Sequence, residues 1–259
     1  MNKPDRNNPF DLTGSRALIT GSGQGIGLAL AKGLAEAGAA IVLNGRGREK
    51  IEHAAAELRK EGFTVDTLVF DVTDRNAMLS SIDRVESEIG AIDILVNNAG
   101  IQHRAPLEDF PADAWERIVN TNLSSVFHVS QAVAKHMIPR KRGKIINICS
   151  VLSQLGRSTV APYAATKGGV AMLTKGMCAD WAKYGIQING IAPGYIKTAL
   201  NKVLIENNEF TDWLCKRTPA GRWGNAEELC GTAVFLSSKA SNFVNGQIIF
   251  VDGGLTSSV

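Results

Sequence analysis

Seven short apolar runs punctuate the chain, most of them apolar at successive rather than alternate positions. They are Arg16–Thr20, Ala40–Asn44, Val65–Phe70, Ile92–Asn97, Lys144–Cys149, Gln187–Ile191 and Gln247–Val251. A strand with one wet face alternates, so a strand apolar throughout needs cover on both faces. Amphipathic stretches of helical length fill the gaps: Gln24–Ala37, Glu49–Lys60, Asn76–Ile89, Ala112–Lys135 and Tyr163–Lys183. Such repetition, with right-handed crossovers, predicts an α/β fold: a single doubly wound parallel sheet of about seven strands, helices on both faces. The sequence has 259 residues and no Pro/Gly/Ser-rich linker, and α/β units of this length fold whole. One domain over 1–259 is predicted. The stretch from Thr198 to Gly224 breaks the rhythm. It carries Phe210, Trp213, Leu214 and Trp223, too apolar for a free loop. A helical flap over a cleft and plain core or subunit packing both fit it.

Charge excludes some classes of function. Lys plus Arg number 28 against 25 Asp plus Glu, a net charge of +3, too mild for a nucleic-acid or anionic-membrane binder. Arg140–Lys144 is a small basic run, read as a solvated turn more readily than as a binding patch. Cys149, Cys178, Cys215 and Cys230 are widely spaced without a C-x-x-C pair, so ordinary reduced thiols and no metal site are expected. Met1–Phe10 is polar and lacks the apolar core of an export signal. Elsewhere charge interrupts the apolar stretches, as at Lys32 and Glu36. A soluble cytoplasmic protein without membrane association is expected.

The first strand leads into Thr20-Gly21-Ser22-Gly23-Gln24-Gly25-Ile26-Gly27 and then a helix. In that context glycine lets backbone N–H groups approach a pyrophosphate, which the helix N-terminus stabilises. No Lys-Ser/Thr follows the last glycine, so a P-loop is excluded. A dinucleotide site follows, Gly21, Ser22, Gln24, Gly25, Ile26 and Gly27 forming its turn. An NAD site places a carboxylate at the end of the second strand to meet the ribose 2′-hydroxyl. Here the chain reads Leu43-Asn44-Gly45-Arg46, and an arginine fork there matches a 2′-phosphate. NADP(H) is therefore predicted, with Arg46 as its main contact; the alternative is a solvated turn arginine.

The strongest chemical signal is Ser150, Tyr163 and Lys167. Ser150 follows an apolar strand, at the end where α/β sheets bind ligands. Tyr163 and Lys167 are four apart and share a helix face. Free tyrosine titrates near 10, and lowering that to about 7 takes roughly 4 kcal/mol. One ammonium about 4 Å away supplies that much at an effective dielectric near 20. Lys167 with an oxidised nicotinamide would suffice.

With these residues the chain resembles the short-chain dehydrogenase/reductase family over essentially its whole length. The matching residues are Thr20–Gly27, Asn97–Gly100, Asn122, Ser150, Tyr163-Ala164-Ala165-Thr166-Lys167 and Pro193-Gly194. The resemblance implies a hydride carried by the nicotinamide and a proton exchanged through Tyr163. Ser150 would bond the reacting oxygen, Lys167 would hold the cofactor ribose, and Asn122 would support a water-linked proton path. Asp71 and Val72 would border the adenine, and Asn98, Ala99 and Gly100 would floor the cofactor site. Pro193, Ile196 and Thr198 would approach the nicotinamide. A homotetramer built through the helices around Ala112–Lys135 and Tyr163–Lys183 is implied as well. Within the family, Gly100–Pro106, Ile148–Ser150, Trp213–Gly224 and Phe243–Gly246 are similar to the gluconate 5-dehydrogenase group. That implies a small sugar-acid substrate, D-gluconate interconverting with 5-keto-D-gluconate. Arg104, beyond the fourth strand, fits a carboxylate anchor. Ser150, Gln154 and Tyr163 complete the expected substrate contacts, with Ser153 and Arg157 as weaker candidates for hydroxyls. The rivals are a 3-oxoacyl-carrier-protein reductase, another sugar-acid or ketone reductase, and a cofactor sensor without catalysis.

Overall fold

All seven expected strands form, and they lie in one sheet. The computed structural model describes residues 8–258, so the first seven residues of the polar Met1–Phe10 lead fall outside it, as does Val259. The strands are β1 (Arg16–Ile19), β2 (Ala40–Gly45), β3 (Val65–Val69), β4 (Ile94–Asn97), β5 (Gly143–Ile148), β6 (Ile186–Pro193) and β7 (Ile248–Val251). Their order is β3-β2-β1-β4-β5-β6-β7, every neighbouring pair parallel. β4 starts two residues later than its apolar run because the Asp93 carboxylate turns back to accept from Arg16 N at 3.1 Å.

Helices cover both faces. They are α1 (Gly25–Glu36), α2 (Arg48–Lys60), α3 (Arg75–Arg84), α4 (Ala112–Val119), α5 (Ser125–Arg140), α6 (Ala161–Trp181), α7 (Lys202–Ile205), α8 (Asn208–Arg217) and α9 (Cys230–Ser237). Successive residues of one strand feed opposite cores. Ala17, Ile19, Ile41 and Leu43 meet Leu30, Leu34 and Leu236. Leu18 and Val42 point the other way, toward Met78, Val129 and Val133. That division explains the absence of alternation in the sequence. β7, at the sheet edge, is half-buried along its length. No helix of the described residues is long and apolar enough to cross a membrane.

The long helical segment expected over Ala112–Lys135 forms and runs on to Arg140, with one widened turn inside it. A π-helical turn, Asn120–Ser124, separates α4 from α5 and presents the buried Asn122 toward the neighbouring loop. Such wide turns displace a side chain from the helical register and recur at functional sites. The Thr198–Gly224 segment is helical, containing α7 and α8. It packs around Trp223, 4% exposed, and Leu214, 1% exposed. Arg140–Lys144 lies at the N-terminal edge of the sheet, where Arg140 pairs with Glu86, Arg142 with Asp93, and Lys144 donates to Asn242. Two of its four charges, Arg140 and Arg142, are thus paired with carboxylates.

One polar chain crosses the apolar sheet near the carboxyl ends of β4 and β5. Asn97 Nδ2 donates to Asn147 Oδ1 at 2.9 Å and to Ser130 Oγ at 2.8 Å. Asn147 Nδ2 then donates to Thr174 Oγ1 at 2.9 Å. All four residues are buried, so each unmet bond would carry its full desolvation cost. We expect Asn147→Leu to lower stability by about 1–3 kcal/mol. Urea unfolding should show a lower midpoint at unchanged slope; an unchanged midpoint would refute the role of this network.

Candidate active site

The chain order reverses between β1 and β4, so the loops leaving their carboxyl ends part and open a crevice. This is the place where open α/β sheets bind ligands. Thr20 and Asn98 fasten the two loops together. Thr20 Oγ1 accepts from Asn98 N at 3.0 Å and Ala99 N at 3.1 Å. In return, Asn98 Nδ2 donates to Thr20 O and Gly21 O, both at 3.0 Å. Gly21 has φ +63°, and a Cβ there would stand 2.9 Å from Ala99 Cα. At Gly27 a Cβ would meet the Asn98 amide and lie 2.7 Å from Gly21 O. Glycine is thus required at both positions by close contact, and at Gly21 by conformation as well.

A cleft of about 400 Å³ runs from this turn in both directions. Gly21, Gln24, Gly25, Ile26, Gly27, Arg46, Asp71, Val72, Asn98, Ala99, Gly100, Tyr163, Lys167 and Thr198 line it, as the sequence suggested. Ser22 does not: its buried hydroxyl donates to Ile19 O at 2.8 Å and accepts from Asn44 N at 3.0 Å. Ile196 is packed in the core against Gly224, and Pro193 ends β6 without lining the cleft. Lys50, Phe70, Ile101, Thr121 and Ile148 also line it. Of these only Lys50 left a signal, its four-residue spacing from Arg46; its ammonium donates to the Gln24 side chain. The others come together only through folding.

At the β2 end Arg46 is exposed and pairs with Asp71, Nη1 to Oδ2 3.5 Å. Burial opposes the Asp71 charge, but bonds from Thr73 N and Oγ1 and the Arg46 guanidinium outweigh it, holding the carboxyl below its ordinary range. No carboxylate occupies the end of β2 itself. The arginine, the glycine turn and the helix N-terminus fit a dinucleotide carrying a 2′-phosphate.

At the other end stand Ser150, Tyr163 and Lys167. Ser150 leaves β5 and caps the short 3-10 turn Val151–Ser153, its Oγ accepting from Leu152 N at 3.1 Å. Ser153 Oγ donates to Lys167 O at 3.0 Å, bracing that turn on α6. Tyr163 and Lys167 lie one turn apart in α6, the ammonium 5.7 Å from the phenol ring centre. Here the structure departs from the expected electrostatics. Lys167 Nζ donates to Ile148 O at 2.6 Å, and burial pushes the amine down to about 8. Burial also pushes the Tyr163 phenol up to about 12, with the Ser150 hydroxyl pulling it part of the way back. The phenol therefore holds its proton at neutral pH, because desolvation outweighs the attraction assumed from spacing.

Asn122 accepts from Ile101 N at 2.8 Å and donates to Ile101 O at 2.9 Å and to Thr166 Oγ1 at 3.4 Å. It ties the β4 loop to α6. Beyond Tyr163 lies Arg104, part-buried, donating to Gln102 Oε1 at 3.1 Å. Burial, then the nearby Arg157 guanidinium, lower its pKa. Gln154 is exposed, and His103, also exposed, packs edge-on to Phe110. The buried Cys149 thiol behind Ser150 is pushed up to about 11, chiefly by desolvation, and is inert at neutral pH. Asn98→Ala should weaken NADPH binding about tenfold by freeing the glycine turn. Fluorescence titration measures this; undiminished affinity would show that the two loops need no fastening.

The short chain dehydrogenase family model matches residues 15–209. A gluconate 5-dehydrogenase of Gluconobacter oxydans is 58% identical over 259 residues, covering all of both chains. A 5-keto-D-gluconate 5-reductase of Escherichia coli is 53% identical over 253 residues, 98% of this chain and all of that one. Among solved structures, a gluconate 5-dehydrogenase from Burkholderia cenocepacia, in complex with NADP and tartrate, superposes with a TM-score of 0.95. It is 64% identical and the match covers 97% of this chain and 98% of that one. With the glycine turn, the Ser150–Tyr163–Lys167 group and these likenesses together, the chain belongs to the short-chain dehydrogenase family.

Proposed function

We propose that the protein is an NADP(H)-dependent oxidoreductase interconverting D-gluconate and 5-keto-D-gluconate. The observation that carries this reading is the continuity of one cleft, with Arg46 at one end and Tyr163 and Lys167 at the other. The similarity to gluconate 5-dehydrogenases supports the substrate. Within the cleft, Gly21–Gly27 and the α1 N-terminus would hold the pyrophosphate, Arg46 the 2′-phosphate and Lys167 the ribose. The nicotinamide, when bound, supplies or accepts the hydride.

Proton transfer falls to the protein. In reduction Ser150 hydrogen-bonds the C5 carbonyl oxygen, and Tyr163 gives its proton to that oxygen as charge develops there. In oxidation the phenolate takes the proton from the C5 hydroxyl. Lys167 lends positive charge to the phenolate whenever the proton has left. Asn122 supports a water-linked route behind Lys167 and keeps Ile101 at the cleft wall. Arg104 anchors the substrate carboxylate. We also propose a homotetramer. It is supported by Phe127 on α5 and Met172 on α6, exposed at 40% and 66%, which line a shallow depression with Leu123 and Leu173. The carrier-protein rival gains nothing from Arg140–Lys144, which lies at the sheet edge opposite the cleft.

Tyr163→Phe should lower kcat at least 100-fold with NADPH affinity nearly intact; retained turnover would remove the acid/base role. Arg46→Ala should raise KM for NADPH at least tenfold and leave KM for NADH within about threefold. Equal effects on the two cofactors would remove the 2′-phosphate contact. Because the phenol is pushed up, oxidation needs a proton lost first, whereas reduction starts from the form already present. Gluconate oxidation should accelerate from about pH 6 to 8, the range in which Lys167 still carries its charge, while reduction does not. Rate profiles in both directions measure this, and an oxidation rate indifferent to pH would contradict it.

A further inference from the structure

Two guanidinium groups, Arg104 and Arg157, lie near one another, with Arg104 also near Tyr163, and neither has a carboxylate partner among the ion pairs of the described residues. Arg104 belongs to the loop after β4 and Arg157 to the loop after β5. A direct backbone bond joins the loops, Ala105 N donating to Thr159 O at 3.2 Å. Thr159 has φ +68°, in the left-handed region that a β-branched residue strongly disfavours. Local strain of this kind persists where surrounding contacts impose it, and it clusters at ligand clamps.

Arg157 is also held in place by aromatic side chains. Its guanidinium carbon lies 4.4 Å from the Phe210 ring centre and 5.7 Å from that of Tyr195. Its Nη1 donates to the Tyr195 hydroxyl at 3.2 Å. Phe210 stands in α8 and packs on Trp213 and Trp223, so the helical flap backs the cation. Stacking occupies the face of a guanidinium and leaves edge N–H groups for a planar anion. Two part-buried like charges repel, which a structure tolerates where an anion is due between them.

We propose that Arg157 is a second ligand of the substrate carboxylate, forming with Arg104 a two-guanidinium clamp backed by the flap. The inference rests on the sugar-acid reading above and deepens it: the clamp makes the site selective for anionic substrates over neutral ketoses. Arg157 is a binding and specificity residue; it takes no part in proton transfer.

L-Sorbose is the matched neutral probe, since it is 5-keto-D-gluconate with a hydroxymethyl group in place of the carboxylate. The full-length wild type and Arg157→Ala are assayed with NADPH on both compounds. We expect the preference for 5-keto-D-gluconate over L-sorbose, as a ratio of kcat/KM values, to fall about 10- to 100-fold, mainly through KM. Arg157→Lys should recover only part of it, because an ammonium lacks the planar fork. Circular dichroism and NADPH titration check that the variants are folded. A wild type that reduces 5-keto-D-gluconate while Arg157→Ala keeps the same ratio overturns the clamp and leaves the functional reading standing. A wild type that reduces neither compound fails that reading instead. Calorimetric titration of the NADPH-loaded protein with D-gluconate and D-glucitol then tests the clamp without turnover, because the reduced cofactor cannot accept a hydride. Gluconate should bind more tightly than glucitol to the wild type, and Arg157→Ala should narrow that difference about 10- to 100-fold; a difference as large as in the wild type overturns the proposal.

Discussion

The mutual bond between Thr20 and Asn98 is the constraint from which the site is built. A sheet whose order reverses between β1 and β4 sends two loops apart, and a crevice so formed would be loose without a fastening. Here one hydroxyl accepts two backbone N–H groups and one amide donates to two carbonyls across the gap. The close approach leaves no space for a Cβ at Gly21 or Gly27. Turn conformation, helix start and cleft floor therefore follow from one contact between loops about 80 residues apart in sequence.

Desolvation sets the chemistry at the other end. Burial raises the Tyr163 phenol, lowers the Lys167 amine and lowers the Arg104 guanidinium, so each charged form is disfavoured in the site. Partners that bring opposite charge or hydrogen bonds then gain more than they would in water. Lys167 anchors itself on Ile148 O, at the end of β5, and Ser153 anchors the same helix turn from below. The phenol is thus kept protonated and the ammonium kept close, without the two being paired.

Much of this was legible in the chain. Runs apolar at successive positions, as in Arg16–Thr20 and Lys144–Cys149, announced strands covered on both faces, because both faces of the parallel sheet are buried. The Thr20–Gly27 turn and the Tyr163–Lys167 spacing are local, so sequence order alone placed them on a turn and on one helix face. What escaped was non-local. The π turn at Asn120–Ser124 depends on Asn122 meeting Ile101, and no periodicity records that meeting. Ser22 looked like a cofactor contact yet faces inward, since Asn44 N claims its hydroxyl. The Tyr163–Lys167 spacing reports proximity, whereas burial and the Ile148 carbonyl decide where the ammonium goes. Arg157 gains its importance only when the flap brings Phe210 against it.

The central claim is that hydride and proton reach the same carbonyl in this one cleft. Its most direct test is reduction of 5-keto-D-gluconate by NADPH deuterated at both C4 positions of the nicotinamide, with the product read by NMR. D-Gluconate carrying one deuterium at C5 is the predicted result. No reduced product, a C5 bearing solvent hydrogen, or the epimeric L-idonate would contradict it.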